Sequence, residues 1–239
     1  MELSEYDARH VRITDAEEKI HTGMAVYLPA EYCRHEYGKD EAGILVEDQL
    51  FLRSQIASIE EIEEHGTAEL WTKRLILRRY RPEDAEVLHK CFGSDEAMYQ
   101  YSGWNPYATL EMSQESVKGF IDSYRDEHFY GWVIESEDVL YGTVGAYDYK
   151  DDRIEVGFSI VRDCWGRGYA TEALKAVLTY LTENEGISCV TAWCAAQNIG
   201  SRRVLEKAGM LLVGTETAGL MVGDRIYDKL IYEYKAVSA

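Results

Sequence analysis

Residues 153–186 run from a strand-like alternation into a pair of glycines and then into a long amphipathic helix, and few folds accommodate that order. In RIEVGFSIV (153–161), Ile154, Val156, Phe158 and Ile160 share one face and Glu155 takes the other, the period-two pattern of a half-buried strand. In ATEALKAVLTYLTENEG (170–186), Ala170, Leu174, Val177, Leu178 and Leu181 form one apolar stripe, and Gly186 is a stop signal. Between them, DCWGRGYA (163–170) sets Gly166 and Gly168 one residue apart. Alone, Gly-x-Gly is an ordinary turn signal. At a helix start it is also an anion cradle, because unpaired N–H groups and the positive end of the helix dipole meet there. Glycine adds no Cβ to keep a phosphate from the backbone. The third glycine of a dinucleotide fingerprint is replaced by Thr171, and no Walker lysine is present. The flanking strand and helix favour the cradle over the plain turn.

The rest of the larger part has a regular order. RLILRRY (74–80) reads as a strand, and Pro82 opens a helix with Ala85, Leu88 and Phe92 at helical spacing. A tyrosine-rich loop, YQYSGWNPY, precedes a second helix carrying Met112, Phe120, Ile121 and Tyr124. YGWVIES, VLYGTVGAYDY and RIEVGFSIV read as three successive antiparallel strands, turning at Ser136-Glu137-Asp138 and Lys150-Asp151-Asp152. After the glycine loop and its helix come the strand SCVTAWCAA, a helix GSRRVLEKAG closed by Gly209, and two final strands. The pattern predicts an α+β fold with helices and strands mixed along the chain.

Charge separates a front segment. Residues 1–70 hold 17 Asp or Glu against 6 Lys or Arg, while the remainder of the 239 holds 26 against 19. That shift places a boundary near residues 66–72, giving a small acidic module over 1–68 and a larger domain over 69–239. In the module, MAVYLP and AGILVEDQLFLRS read as short strands, the latter a hairpin turning at Glu47-Asp48-Gln49. SIEEIEEHG reads as a short acidic helix closed by Gly66. Cys33-Arg34-His35 is the module's sole candidate ligand pair, and a structural part for it is the simpler reading. The net charge of −18 disfavours nucleic acid and anionic membrane as partners. Five cysteines without a Cys-x-x-Cys, six scattered histidines, and a first segment lacking an apolar core give the expectation of a cytoplasmic protein with reduced thiols and no metal.

EVGFSIVRDCWGRGYATEAL followed by AAQNIGSRRVLEKAGM resembles the GNAT superfamily of acetyl-CoA-dependent N-acetyltransferases. The chain is most similar to the Rim branch, which acetylates N-termini of ribosomal proteins and includes relatives acting on small amines. The resemblance covers about residues 71–236, with TKRLILRRYRPEDA at its start and GDRIYDKLIYEYK at its end. It implies a mixed, mostly antiparallel sheet splayed at the cofactor site and flanked by helices, beside a small β-rich N-terminal module. It implies acetyl-CoA as co-substrate, an amine as acceptor, and a monomer or homodimer. The pyrophosphate grip would be the loop backbone from Arg162 through Trp165, Gly166, Arg167, Gly168 and Tyr169 to Ala170 and Thr171. The pantetheine arm would pair with the strand end at Phe158 and Ile160, with Asn198 as its side-chain partner. In one departure, Asp163 stands where the family commonly has Gln or Arg, with Arg162 one step earlier.

An amine attacks only when unprotonated, so the reaction needs a base. Glu155, on the face opposite Ile154 and Val156 in the strand that would meet the cofactor, is the candidate; in Rim-like relatives a glutamate here is the base. The other reading is a solvated sheet-face carboxylate. The tyrosine acid of many relatives is replaced by Leu205 in Leu205-Glu206-Lys207, and the resemblance points to Ser201 instead. Ser201 equally suits a helix N-terminus. Tyr101, Trp104 and Tyr107 either line an amine pocket or simply pack. A direct transfer within a ternary complex is expected. The alternative is a catalytically weak scaffold whose acidic module docks a partner.

Overall fold

The computed structural model describes residues 2–46, 49–61, 66–93, 95–101, 105–137 and 139–235. It divides into two compact units, residues 1–64 and 65–239.

In the first unit, strands β1 (His10–Asp15), β2 (Ile20–Leu28), β3 (Gly43–Val46), β4 (Gln49–Leu52) and β5 (Ile56–Glu61) form an antiparallel sheet in the order β4-β3-β2-β1-β5, and helix α1 (Ala30–Tyr37) follows β2. Val11, Ile13, Ala25, Ile44 and Phe51 alternate into its core. The expected hairpin of β3 and β4 is present, and its turn at Glu47 and Asp48 lies outside the described residues. The helix expected over 58–66 is corrected. Ser58–Glu61 belongs to β5, and residues 62–65 lie outside the described set. Ile56 and Ile59, three apart, mimic a helical repeat. A bulge opposite Thr14 and Asp15 leaves Ala57 unpaired and turns both isoleucines inward. Glu60 and Glu61 are the outward residues, bound to Arg12 and Arg9 at 2.9 and 3.0 Å.

The second unit is built from β6 (Leu70–Trp71), β7 (Ile76–Arg78), α2 (Asp84–Leu88), α3 (Glu96–Tyr99), α4 (Leu110–Ser123), β8 (Tyr130–Ser136), β9 (Val139–Lys150), β10 (Arg153–Ile160), α5 (Tyr169–Thr179), β11 (Cys189–Ala195), α6 (Ile199–Ala208), β12 (Leu211–Val222) and β13 (Arg225–Lys235). Eight strands make one mixed sheet, β12-β13-β11-β10-β9-β8-β7-β6, in which β10 and β11 are the parallel neighbours. Period-two alternation gives each face its own cover. Trp132, Ile134, Val144, Ile154 and Val156 pack with Leu174, Val177 and Leu205 of α5 and α6. Val133 and Leu140 pack with Leu88 of α2 and Val117 of α4. Met112 is corrected from the expected stripe of α4. It is exposed, and the inward residue of that turn is Ser113, whose hydroxyl donates to the Ala85 carbonyl at 2.6 Å and brings α4 close to α2. A buried ion cluster fixes the same layer: Arg78 binds both oxygens of Asp84 at 2.8 Å and Glu135 at 2.6 Å.

Candidate active site

Strands β10 and β11 pair over three steps, Arg153–Cys189 to Glu155–Thr191, and then part. Beyond that point β10 stays paired with β9 as far as Ile160, while β11 stays paired with β13 as far as Ala195. The β10 edge from Val156 to Ile160 that faces β11 therefore has no strand partner. A cleft of about 1140 Å³ opens there, bounded by both strands, the glycine loop, the start of α6 and the aromatic layer over α2 and α4.

The glycine loop enters α5 in a conformation that requires its glycines. Gly166 and Gly168 have φ of 74° and 83°, in the left-handed region that costs other residues about 1–2 kcal/mol. Gly168 is the N-cap of α5 and supplies no side-chain cap, so the first helical N–H groups keep their capacity to bind an anion. The Trp165 indole donates to the Ile160 carbonyl at 2.6 Å and pins the loop to the end of β10.

Arg74 holds this loop from the β7 side. Its guanidinium donates to the Arg167 carbonyl at 3.1 Å, binds Glu172 at 2.6 Å and lies 4.6 Å over the Tyr169 ring. Tyr169 in turn stacks on Tyr141 at 4.8 Å. Burial alone would raise the Glu172 carboxyl, but hydrogen bonds from Thr72 and Arg74 outweigh it and hold the group below its ordinary value.

Glu155 sits where the two strands part. Its Oε1 accepts from the Trp193 indole N–H at 2.8 Å. On its other side it faces Tyr147 across the β9–β10 pair. A bulge beside that pair sets Asp148 and Tyr149 opposite Ile154, with Asp148 at φ 58°. The Tyr147 hydroxyl lies over Gly157, 2.8 Å from where a Cβ would be. Burial, and then the Glu155 charge within hydrogen-bonding reach, push the Tyr147 phenol well above its ordinary value, so it stays protonated. Tyr147 and Trp193 line the cleft, whereas Glu155 stands behind them.

Of the residues singled out in the sequence, Phe158, Ile160, Trp165, Gly166, Gly168, Tyr169, Ala170, Thr171, Asn198, Ser201, Tyr101 and Tyr107 line the cleft. Arg162 and Arg167 do not: the Arg162 guanidinium reaches Asp95 at 3.2 Å, and the Arg167 carbonyl is taken by Arg74. Trp104 lies outside the described residues. Asn198, not Ser201, caps α6: its Oδ1 accepts from the Ser201 N–H at 3.1 Å, leaving the Asn198 amide nitrogen for another acceptor. Tyr101 donates to the Gln197 carbonyl at 3.5 Å, and burial pushes the Tyr107 phenol up to about 12. The sequence reading missed Arg74, Tyr147, Glu172 and Trp193. Arg74, Glu172 and Trp193 are defined by contacts across tens of residues, and Tyr147 by the bulge in the β9–β10 hairpin; no local pattern marks any of them.

A parallel strand pair parts here over an uncapped, glycine-entered helix N-terminus, with a carboxylate at the fork. A model of the acetyltransferase (GNAT) domain matches residues 74–211. An uncharacterized N-acetyltransferase of Bacillus subtilis, YoaA, is 31% identical over 167 residues, covering 68% of this chain and 94% of the relative. Among solved structures, a GNAT-family acetyltransferase of Bacillus anthracis superposes with a TM-score of 0.63 at 23% identity, over 70% of this chain and 98% of its own. RimL, a ribosomal L7/L12 alpha-N-protein acetyltransferase solved with coenzyme A, superposes with a TM-score of 0.64 at 18% identity, over 69% and 95%. The chain belongs to the GNAT family of acetyltransferases.

Proposed function

We propose that the chain transfers the acetyl group of acetyl-CoA to a primary amine, of a peptide N-terminus or a small molecule, with both substrates bound together. The observation that carries this reading is the fork itself, where a partnerless β10 edge and the start of α5 bound one cleft, with Glu155 behind its Tyr147 and Trp193 wall. The backbone N–H groups of residues 165–171 would hold the pyrophosphate, and the β10 edge at Phe158 and Ile160 the pantetheine arm, with the amide nitrogen of Asn198 beside it. Bound acetyl-CoA supplies the activated acyl group and a thiolate leaving group.

Glu155 is the base in this reading, and Tyr147 connects it to the cleft. The Tyr147 hydroxyl would accept the proton that the amine loses and pass its own to the Glu155 carboxylate. The Trp193 N–H holds that carboxylate in place. Ser201 lines the cleft, and its hydroxyl makes no hydrogen bond among the described residues, which suits it to protonate the departing sulfur.

The experiment is steady-state acetylation of a panel of amines and N-terminal peptides, with thiol release and product mass as readouts. Intersecting initial-velocity lines and product from at least one amine are expected. Parallel lines with an acetylated protein would overturn direct transfer, and acetyl-CoA binding without any product would overturn the activity.

A further inference from the structure

The acceptor side of the cleft is neutral and aromatic. The chain carries 43 Asp or Glu, yet none of its described residues that line the cleft is acidic. Its charged lining residues are Arg203 and Lys207, both on α6 at the side of the glycine loop. Opposite them stand Tyr80, Phe92, Tyr107, Phe120, Phe129 and Tyr147. Ala97 to Tyr101 and Asn105 to Tyr107, which also line the cleft, carry no charge in a chain that is 28% charged. Its rings contact one another: Tyr80 and Phe120 at 4.8 Å, Phe92 and Tyr107 at 5.8 Å, Phe120 and Phe129 at 6.2 Å.

Resting on the proposed N-acetyltransfer, we infer that the acceptor is a small amine with a single positive charge, carried on an aromatic or bulky apolar body. An apolar chamber strips water from the ammonium and favours the neutral, nucleophilic amine. Ring faces compensate one cation, and Glu155, behind Tyr147 and Trp193, supplies a negative charge outside the lining itself. A second ammonium would lose its hydration and meet no carboxylate in the lining. Past Trp193 it would approach Lys229, whose ammonium lies 5.2 Å over the indole ring. The apolar body of the acceptor, in contrast, gains by burial against the rings.

The test measures kcat/KM with acetyl-CoA for 2-phenylethylamine, 1,4-diaminobutane and a peptide with an N-terminal serine, and calorimetric binding of each to the free protein. Phenylethylamine is expected to lead the diamine on the order of 10²-fold, the factor that burial of one ring is worth, and to bind without acetyl-CoA. The half-buried Met98 also lines this side, and Met98→Glu should move the ratio at least about tenfold toward the diamine. Preference for the diamine or the peptide by the native chain would overturn the acceptor class and leave N-acetyltransfer standing. Unchanged selectivity in folded Met98→Glu would equally overturn the assignment of this chamber. Acetyl-CoA binding with no amine acetylated would instead remove the proposed function beneath it.

Discussion

The Glu155 carboxylate and the Trp193 indole meet at 2.8 Å, Glu155 standing in the last β10–β11 pair and Trp193 just past its partner Thr191. The bond spans the fork at its apex, where the paired part of the sheet ends and the cleft begins. In the proposed reaction, a carboxylate free to turn with the opening would meet the acceptor in many orientations. The indole N–H selects one, and Tyr147 on the neighbouring strand makes that orientation count inside the cleft.

Replacing either end of the proton path should slow turnover while donor binding persists. Glu155→Gln and Tyr147→Phe each lower kcat on the order of 10²-fold, the usual contribution of a positioned base. Calorimetry should give acetyl-CoA affinities within a factor of two or so of the native chain, since neither side chain belongs to the glycine loop. An unaltered kcat in Tyr147→Phe would remove the relay and leave Glu155 to act directly.

Trp193→Phe keeps a ring at the fork and deletes only the donor. A hydrogen bond to a charged group contributes about 1.5–3 kcal/mol, and the half-buried site reduces that. We expect kcat to fall roughly tenfold with the KM for acetyl-CoA unchanged. Loss of thermal stability without a kcat effect would make the bond structural.

Gly168→Ala tests the entry to α5. At φ 83° an added Cβ costs about 1–2 kcal/mol, although its nearest neighbour, Arg74, is 3.5 Å away. A Tm lowered by a few degrees together with weaker acetyl-CoA binding is expected. Weaker binding at unchanged Tm would point to steric exclusion of the donor instead.

Glu172 gives the loop clamp a pH dependence with a defined sign. Its folded carboxyl is held below the ordinary 4.5, so the clamp's contribution is present above that value and is lost as pH falls through the lower folded value. The Tm difference between the native chain and Glu172→Gln should therefore stay constant from neutral pH down to about 5 and close at more acid pH. A difference that closes near neutrality would contradict the clamp.

Arg78 neutralises two buried carboxylates, so Arg78→Met strands Asp84 and Glu135 without their cation. Such a break costs about 3–5 kcal/mol. Denaturant unfolding should show that loss in the second unit.

Local order was legible wherever one element carries its own pattern. The alternation of RIEVGFSIV, the stripe from Leu174 to Leu181 and the glycines between them already predicted a strand, a glycine turn and a helix, and the structure has all three in that order. The same alternation put Glu155 on the face opposite Ile154 and Val156. These properties follow from periods of two and 3.6 residues, which need no knowledge of neighbours.

The tertiary structure decided everything that depends on register. The bulge at Asp148 brings Tyr147 opposite Glu155, and the bulge at Ala57 makes a strand of what reads as an acidic helix. The parting of β10 from β11 sets Trp193 against Glu155, and the β6–β7 turn beside α5 gives Arg74 to Glu172. A one-residue slip moves a side chain to the opposite face, so such contacts are fixed only when the whole sheet is paired. The sequence by itself determined the strand, the glycine entry, the helix and the face on which Glu155 lies; only the assembled sheet decided which side chains, Tyr147 and Trp193 among them, meet it there.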